Sequence, residues 1–165
     1  MVILGIDPGY AILGYGVVKT GTSGLSAVDC GVIETTPDMP FPERLEKLYL
    51  GTRQLIGMYQ PDEIVFEELF FARNVTTALQ VGAGRGVAVL AAQQAGVALY
   101  EYTPMQIKLA VTGNGHADKK QVQQMVKILL SLKSVPRPDD AADALAAAIC
   151  HANTNRFAVD QFRIK

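Results

Sequence analysis

Four carboxylates in this 165-residue sequence stand where apolar segments end or where a helix begins. Asp7 closes the run that starts at Val2, and Glu67 closes Ile64-Val65-Phe66. Asp140 and Asp143 fall within Pro138-Asp-Asp-Ala-Ala-Asp-Ala-Leu145. An i, i+3 spacing puts that last pair on one face of a helix, close to its N-terminus. Four acids gathered in a partly buried place repel one another unless a cation joins them. Hard, oxygen-seeking Mg²⁺ suits such a set, with Mn²⁺ as an alternative. Two such ions about 4 Å apart can activate a water and stabilise a leaving 3′-oxygen. Each acid taken singly also has a plainer use. Asp7 fits a simple Asp-Pro-Gly turn, Asp139 or Asp140 a helix N-cap, and Glu68 a solvent-facing position. Taken jointly, they point to a metal-dependent phosphodiesterase.

The opening LGIDPGYAILGYGVV admits a second machine, the two-lobed ATPase that holds Mg²⁺-nucleotide on an Asp-x-Gly turn. That architecture needs two lobes, each with its own phosphate loop. This chain has the length of one ordinary domain and shows a single turn of the kind. At 49% hydrophobic and 19% charged residues it reads as globular. No apolar run approaches the roughly 18 residues of a membrane span, and no secretory signal layout opens the chain, so a cytoplasmic protein is expected. Cys30 and Cys150 lack any zinc or redox spacing and read as two reduced thiols.

The net charge of −1 conceals an asymmetry. Between Met105 and Arg137 the only acid is Asp118, against Lys108, Lys119, Lys120, Lys127, Lys133 and Arg137. That basic flank suits a polyanionic partner, although a charge run is as often a solvated helix face.

The elements that must position these groups alternate in a definite order. Val2 to Asp7, Leu13 to Lys19 and Leu25 to Thr35 have strand composition, with Gly-Thr-Ser-Gly between the last two. Pro42 opens a helix that ends before Pro61. Ile64 to Glu67 is a short buried strand. Asn74 caps a long helix through Gln94 that Gly96 closes, and Val97 to Tyr100 is a fifth strand. Helices then run from Pro104, from Asp118 and from about Asp139. This order predicts an α/β protein with an RNase H-like fold, a five-stranded mixed sheet flanked by α-helices. Residues 1–156 are expected to form the single domain, with 157–165 a short C-terminal tail.

The chain resembles the RuvC-type Holliday-junction resolvases over nearly its whole length. The matching stretches are GIDPGYAILGYGV, PDEIVFEELFFARN, GAGRGVAVLAA, MQIKLAVTGNGHADKKQVQQMV and PDDAADALAAAICH. The resemblance implies that Asp7, Glu67, Asp140 and Asp143 are the catalytic, metal-binding acids, and this chain keeps aspartate where some relatives carry histidine at the last position. It implies a homodimer that binds the four-way DNA intermediate of recombination and repair. Such enzymes nick two strands of like polarity symmetrically and work with the RuvA and RuvB branch-migration proteins. Phe70 corresponds to the family's junction-wedging aromatic, and Lys108 and Lys119 to lysines near the scissile region. Residues alone reach a metal-dependent phosphodiesterase but not a four-way junction.

The basic and aromatic residues fill in the expected site. A lysine beside the metals can neutralise charge growing in the transition state, the role read for Lys108 and Lys119. Lys120 and Lys127 read as phosphate contacts. Phe70, Arg73, Asn74, Lys108, Lys119 and Lys120 form the expected DNA-binding set. An exposed Phe70 can stack on an unpaired base, with Phe71 buried. His116 sits alone in Thr112-Gly-Asn-Gly-His116, a loop whose amides suit a phosphate, and a lone loop histidine is seldom a ligand. Gly82, Gly84 and Gly86 weaken the long helix and imply that something approaches it closely, either the sheet or a partner helix at a two-fold axis. Two other classes stay open on the residues, another RNase H-like nuclease and a non-catalytic DNA-binding module.

Overall fold

The computed structural model describes residues 1–22, 24–69 and 75–164. Its strands are β1 (Val2–Asp7), β2 (Ile12–Gly21), β3 (Gly24–Glu34), β4 (Glu63–Glu67) and β5 (Ala98–Tyr102). They form one mixed sheet in the order β3-β2-β1-β4-β5, with β1–β2 and β2–β3 antiparallel and β1–β4 and β4–β5 parallel. The helices are α1 (Phe41–Tyr59), α2 (Val75–Gln94), α3 (Pro104–Thr112), α4 (Lys119–Leu129) and α5 (Asp139–Asn153). The expected α/β class and sheet are therefore present. β5 ends two residues later than its composition suggests, because pairing of Glu67 with Tyr102 carries it on.

Alternation of side chains along a strand sorts the core into two layers. Leu4, Ile6, Ile64 and Phe66 point to one face and pack with Leu48, Leu55 and Ile56 of α1 and Ala88 and Ala92 of α2. Ile3 and Val65 point to the other and pack under α3, α4 and α5. Both faces of the central strands are covered, which is why β1 and β4 read as near-continuous apolar runs rather than alternating ones.

α5 lies closest to the sheet. Its Ala144 to Ile149 segment is wholly buried, and β1 and β2 present glycines beneath it. A Cβ on Gly5 would meet the Ala144 carbonyl oxygen at 2.1 Å, and one on Gly14 the Asp140 carbonyl oxygen at 2.1 Å. Small residues on both sides thus set the approach, and any side chain at these glycines would push the helix off its strands.

α3 and α4 start at capping boxes. The Thr103 side chain accepts from the Gln106 amide and that of Asp118 from the Gln121 amide, while each glutamine reaches back to its cap. α2 is followed by Gly96 in the left-handed region at φ 70°, as expected of a helix stop. After α5, a 3-10 turn (Val159–Phe162) packs Phe162 on Tyr102, and Arg163 bridges to Tyr100.

Candidate active site

Ile6 is the last residue of β1 in register with β4, opposite Phe66. Asp7 and Glu67 are therefore the next residues on two adjacent parallel strands. Strand alternation turns both toward the α5 face, the side of Ile3, Gly5 and Val65. α5 brings Asp143 to the same place. Asp7, Glu67 and Asp143 line a cleft of about 300 Å³ with Lys108 of α3 and Lys119 of α4. Asp140 does not line the cleft but raises the proton affinity of Asp7 from nearby. A larger open groove of about 1030 Å³ between β3 and α1 is rimmed by Glu34, Glu43, Glu46 and Lys47 on exposed helix and edge positions. Its acids are solvated, whereas those of the smaller cleft are part-buried and mutually repelling, so chemistry belongs to the smaller one.

The electrostatics record that conflict. Burial, then the charges of Glu67, Asp143 and Asp140, push Asp7 up to about 8, with Lys119 opposing. Burial and Asp143 raise Glu67 to about 7 against the pull of Lys108 and Lys119. Asp143 is also raised, by burial first, although its bond to Lys119 works the other way. Lys119 Nζ lies 3.0 Å from Asp143 and 3.6 Å from Asp139. Part burial opposes its charge, but that bond and the surrounding acids hold its ammonium above the ordinary lysine value.

Among the described residues no group of three His, Cys, Asp or Glu side chains is gathered tightly enough to hold a metal ion. Lys119 gives a physical reason, since its ammonium already serves Asp143 as counter-charge and like-charged carboxylates otherwise spread apart. In kind the donor set fits a hard divalent cation, being all carboxylate oxygen with a surplus of negative charge in a poorly solvated place.

The plain N-cap use of Asp139 and Asp140 is not what the chain adopts. Pro138 holds the cap position, and both acids lie in the first turn of α5, where the helix dipole favours them. Lys120 and His116 are exposed and stand outside the cleft. His116 donates its amide to Asn114 Oδ1, in a loop that Thr112 also braces. Phe70, Phe71, Arg73 and Asn74, with the expected cap of α2, lie outside the described residues. Of the three α2 glycines only Gly84 meets a close neighbour among the described residues, Leu48 at 3.2 Å. Gly82 and Gly86 face open space.

Two groups carry no chemical motif in the sequence. Arg85, the one charged residue of α2, pairs with Glu101 of β5. A lone charge in an apolar helix is the signal that could have found it. The other group, around buried His151, has only a histidine inside an apolar run to announce it.

A mixed five-stranded sheet with carboxylates at the ends of adjacent parallel strands and on the helix covering them defines the RNase H-like class. Residues 3–151 match the family model described as crossover junction endodeoxyribonuclease RuvC, and the chain belongs to that family. The enzyme of that name from Alkaliphilus metalliredigens is 56% identical over 157 residues, 95% of this chain and 96% of its own. A Thermus thermophilus RuvC structure superimposes with a TM-score of 0.87 at 40% identity, covering 96% of this chain and 98% of that one. The T. thermophilus RuvC in complex with a Holliday junction substrate also gives 0.87, at 34% identity over 99% of this chain and 100% of that one. The resemblance read from the motifs is borne out, and the protein is a crossover junction endodeoxyribonuclease.

Proposed function

We propose that this enzyme resolves four-way DNA junctions in recombination and repair by paired, symmetrical, Mg²⁺-dependent nicks in strands of like polarity. The observation that carries the reading is the cleft itself. Asp7, Glu67 and Asp143 are part-buried together with Asp140 in electrostatic reach, and two lysines stand beside them. T. thermophilus RuvC, alike over nearly its whole length, is known in complex with a Holliday junction.

Asp7, Glu67, Asp140 and Asp143 would hold the metal, which supplies a polarised water and neutralises charge at the reacting phosphate. The protein's own part is to present four carboxyl groups, whose raised proton affinities Lys108 and Lys119 partly offset. Lys108 and Lys119, which line the same cleft, would face the phosphate and oppose negative charge as it grows. Lys120 contacts the backbone outside the cleft. Phe70, three residues beyond Glu67, stacks at the crossover, with Arg73 and Asn74 as further DNA contacts.

The homodimer of this reading has a surface to use. Leu79, Gly82, Gly86 and Leu90 recur at i, i+3, i+7 and i+11 on α2, along one helical face. Leu79 is 71% and Leu90 49% exposed, and no described residue fills the space before Gly82 and Gly86. Two active sites related by a two-fold axis give symmetrical nicks. Function with RuvA and RuvB in the cytoplasm belongs to the same reading. Among the described residues no helix is long and apolar enough to cross a membrane.

The test compares cleavage of a synthetic four-way junction, an RNA–DNA hybrid and a linear duplex, with Mg²⁺ and with EDTA. The junction alone is cut, and only with the metal. Asn or Gln at Asp7, Glu67, Asp140 or Asp143 abolishes nicking while junction binding persists. Normal cleavage by two of the four variants would refute the site.

A further inference from the structure

At the end of α5 remote from the cleft lies a polar knot that the chemistry above does not use. His151 is fully buried in the last turn of α5. Its Nε2 is 2.7 Å from Glu63 Oε2, and its Nδ1 is 2.8 Å from the Tyr102 hydroxyl. Tyr100 packs on the same ring at 4.5 Å between centroids. Glu63, the buried first residue of β4, also accepts Arg156 Nη1 at 2.9 Å and Nη2 at 2.5 Å.

Every polar atom in this knot is matched. A ring nitrogen facing a carboxylate carries the proton and donates it. Nδ1 of a neutral ring then accepts from the Tyr102 hydroxyl. Burial lowers the His151 proton affinity, which keeps the ring neutral. Burial works against the Glu63 charge, but bonds from Arg156 and His151 outweigh it and hold the carboxyl below its ordinary value. The carboxylate is thus ionised with three donors around it, a costly arrangement to build and a more costly one to break by half.

Its place in the fold gives the knot a consequence. β4 runs from Glu63 to Glu67, and α5 runs the opposite way from Asp143 to His151. Four strand steps span about 13 Å and eight helical steps about 12 Å. The two elements are therefore rods of nearly equal length, with cleft acids at one end and the Glu63–His151 bond at the other. Between those ends α5 is alanine-rich and rests on Gly5, Gly14 and Gly16 of β1 and β2, with Leu145 and Ile149 as its large side chains in the core. Directional bonds at the far end add to the register that these two side chains and the glycines set.

We propose that Glu63 and His151, braced by Arg156 and Tyr102, are positioning residues that fix α5 along β4 and so set Asp140 and Asp143 against Asp7 and Glu67. This rests on the active-site reading given above.

The test uses the full chain with Glu63→Gln, His151→Gln and Arg156→Gln. Single-turnover cleavage of a four-way junction is measured at saturating enzyme, at a temperature where circular dichroism shows each variant folded. Junction affinity in EDTA and Mn²⁺ binding by electron paramagnetic resonance are measured alongside. Cleavage should slow by about tenfold or more and Mn²⁺ should bind more weakly, while junction affinity stays within about twofold of the parent. A knot serving only stability would lower the melting temperature and leave the rate constant and Mn²⁺ affinity unchanged, and that result overturns the proposal. If the two buried variants do not fold, Arg156→Gln decides by the same readouts, since Arg156 is half-exposed. Asp143→Asn separates the two readings. Normal cleavage by it and by one other of the four acid variants overturns the site assignment and the proposal together. Loss of cleavage there, with normal cleavage and Mn²⁺ binding in the knot variants, overturns the proposal alone.

Discussion

Asp7 stands where three other acids and burial all oppose its charge, and that opposition is measurable without DNA. Its carboxyl is raised from 3.8 to about 8 in the folded protein. A group that holds its proton more tightly when folded favours the native state at low pH. The advantage is complete below about pH 4 and is lost as pH rises toward 8. In EDTA, Asp7→Asn should therefore be more stable than the parent at pH 8, by about 2 kcal/mol once relaxation of the coupled acids is allowed for. The gap should close toward pH 4, and Mg²⁺ should narrow it at pH 8 by stabilising the parent more than the variant. Urea unfolding at the two pH values checks this. A parent as stable as the variant at pH 8 without metal would mean that the carboxylates do not strain the fold. Lys119 repeats the pattern from the other side. It begins α4, where a helix dipole disfavours a cation, and the acids of α5 compensate. The sequence shows the misplaced lysine, but only the fold supplies the acid that accounts for it.

At the scale of elements, the cleft depends on how near α5 can come to the sheet. A Cβ at Gly14 would lie 2.1 Å from the Asp140 carbonyl oxygen and 2.5 Å from its carbon, both backbone atoms that cannot swing away. Gly14→Ala should lift the first turn of α5, cost about 1–3 kcal/mol by overpacking and abolish cleavage. Gly57 provides the contrast, since it lies exposed in α1 with nothing within 4 Å of a built Cβ. Gly57→Ala should raise stability by about 0.5–1 kcal/mol and leave cleavage alone. Thermal unfolding with a junction assay distinguishes them, and equal behaviour of the two variants would refute the close-approach argument. These glycines also show what could be read beforehand. β1 and β4 were legible because central strands are apolar throughout, and α4 was placed from Asp118, although its capping box with Gln121 was not read. Asp7 and Glu67 were legible as acids ending apolar runs. The floor formed by Gly5 and Gly14 was not, because a glycine in a strand signals close approach without naming what approaches. The Glu63–His151 bond joins residues 88 positions apart, and neither announces the other. The last two residues of β5 were missed because their strand character comes from pairing with β4.

At the scale of the whole molecule, one cleft can make one nick, whereas resolution needs two made together. In the proposed homodimer, the exposed stripe of α2 is the surface through which a second chain would supply the other cleft. Gly86 and Leu90 are both exposed in the single chain, and no described residue meets a Cβ at Gly86. Gly86→Glu with Leu90→Glu should therefore leave the fold intact, because a glutamate replaces a weak helix former at the first site and an exposed leucine at the second. Across a two-fold axis, by contrast, four unpaired carboxylates would meet in an apolar contact, at a cost of several kcal/mol that a dimer of ordinary size cannot absorb. Analytical ultracentrifugation should find the parent at twice the chain mass and the double variant at 17.8 kDa with an unchanged circular dichroism spectrum. A supercoiled plasmid with an extruded cruciform then reports the consequence. Two coordinated cuts within one complex linearise it, whereas one cut relaxes the plasmid, reabsorbs the cruciform and leaves a nicked circle. The parent should give linear product and the double variant nicked circles, with the chemistry at each cleft retained. A double variant that remains dimeric and still linearises the plasmid would place the subunit contact elsewhere and leave the open face of α2 without this role.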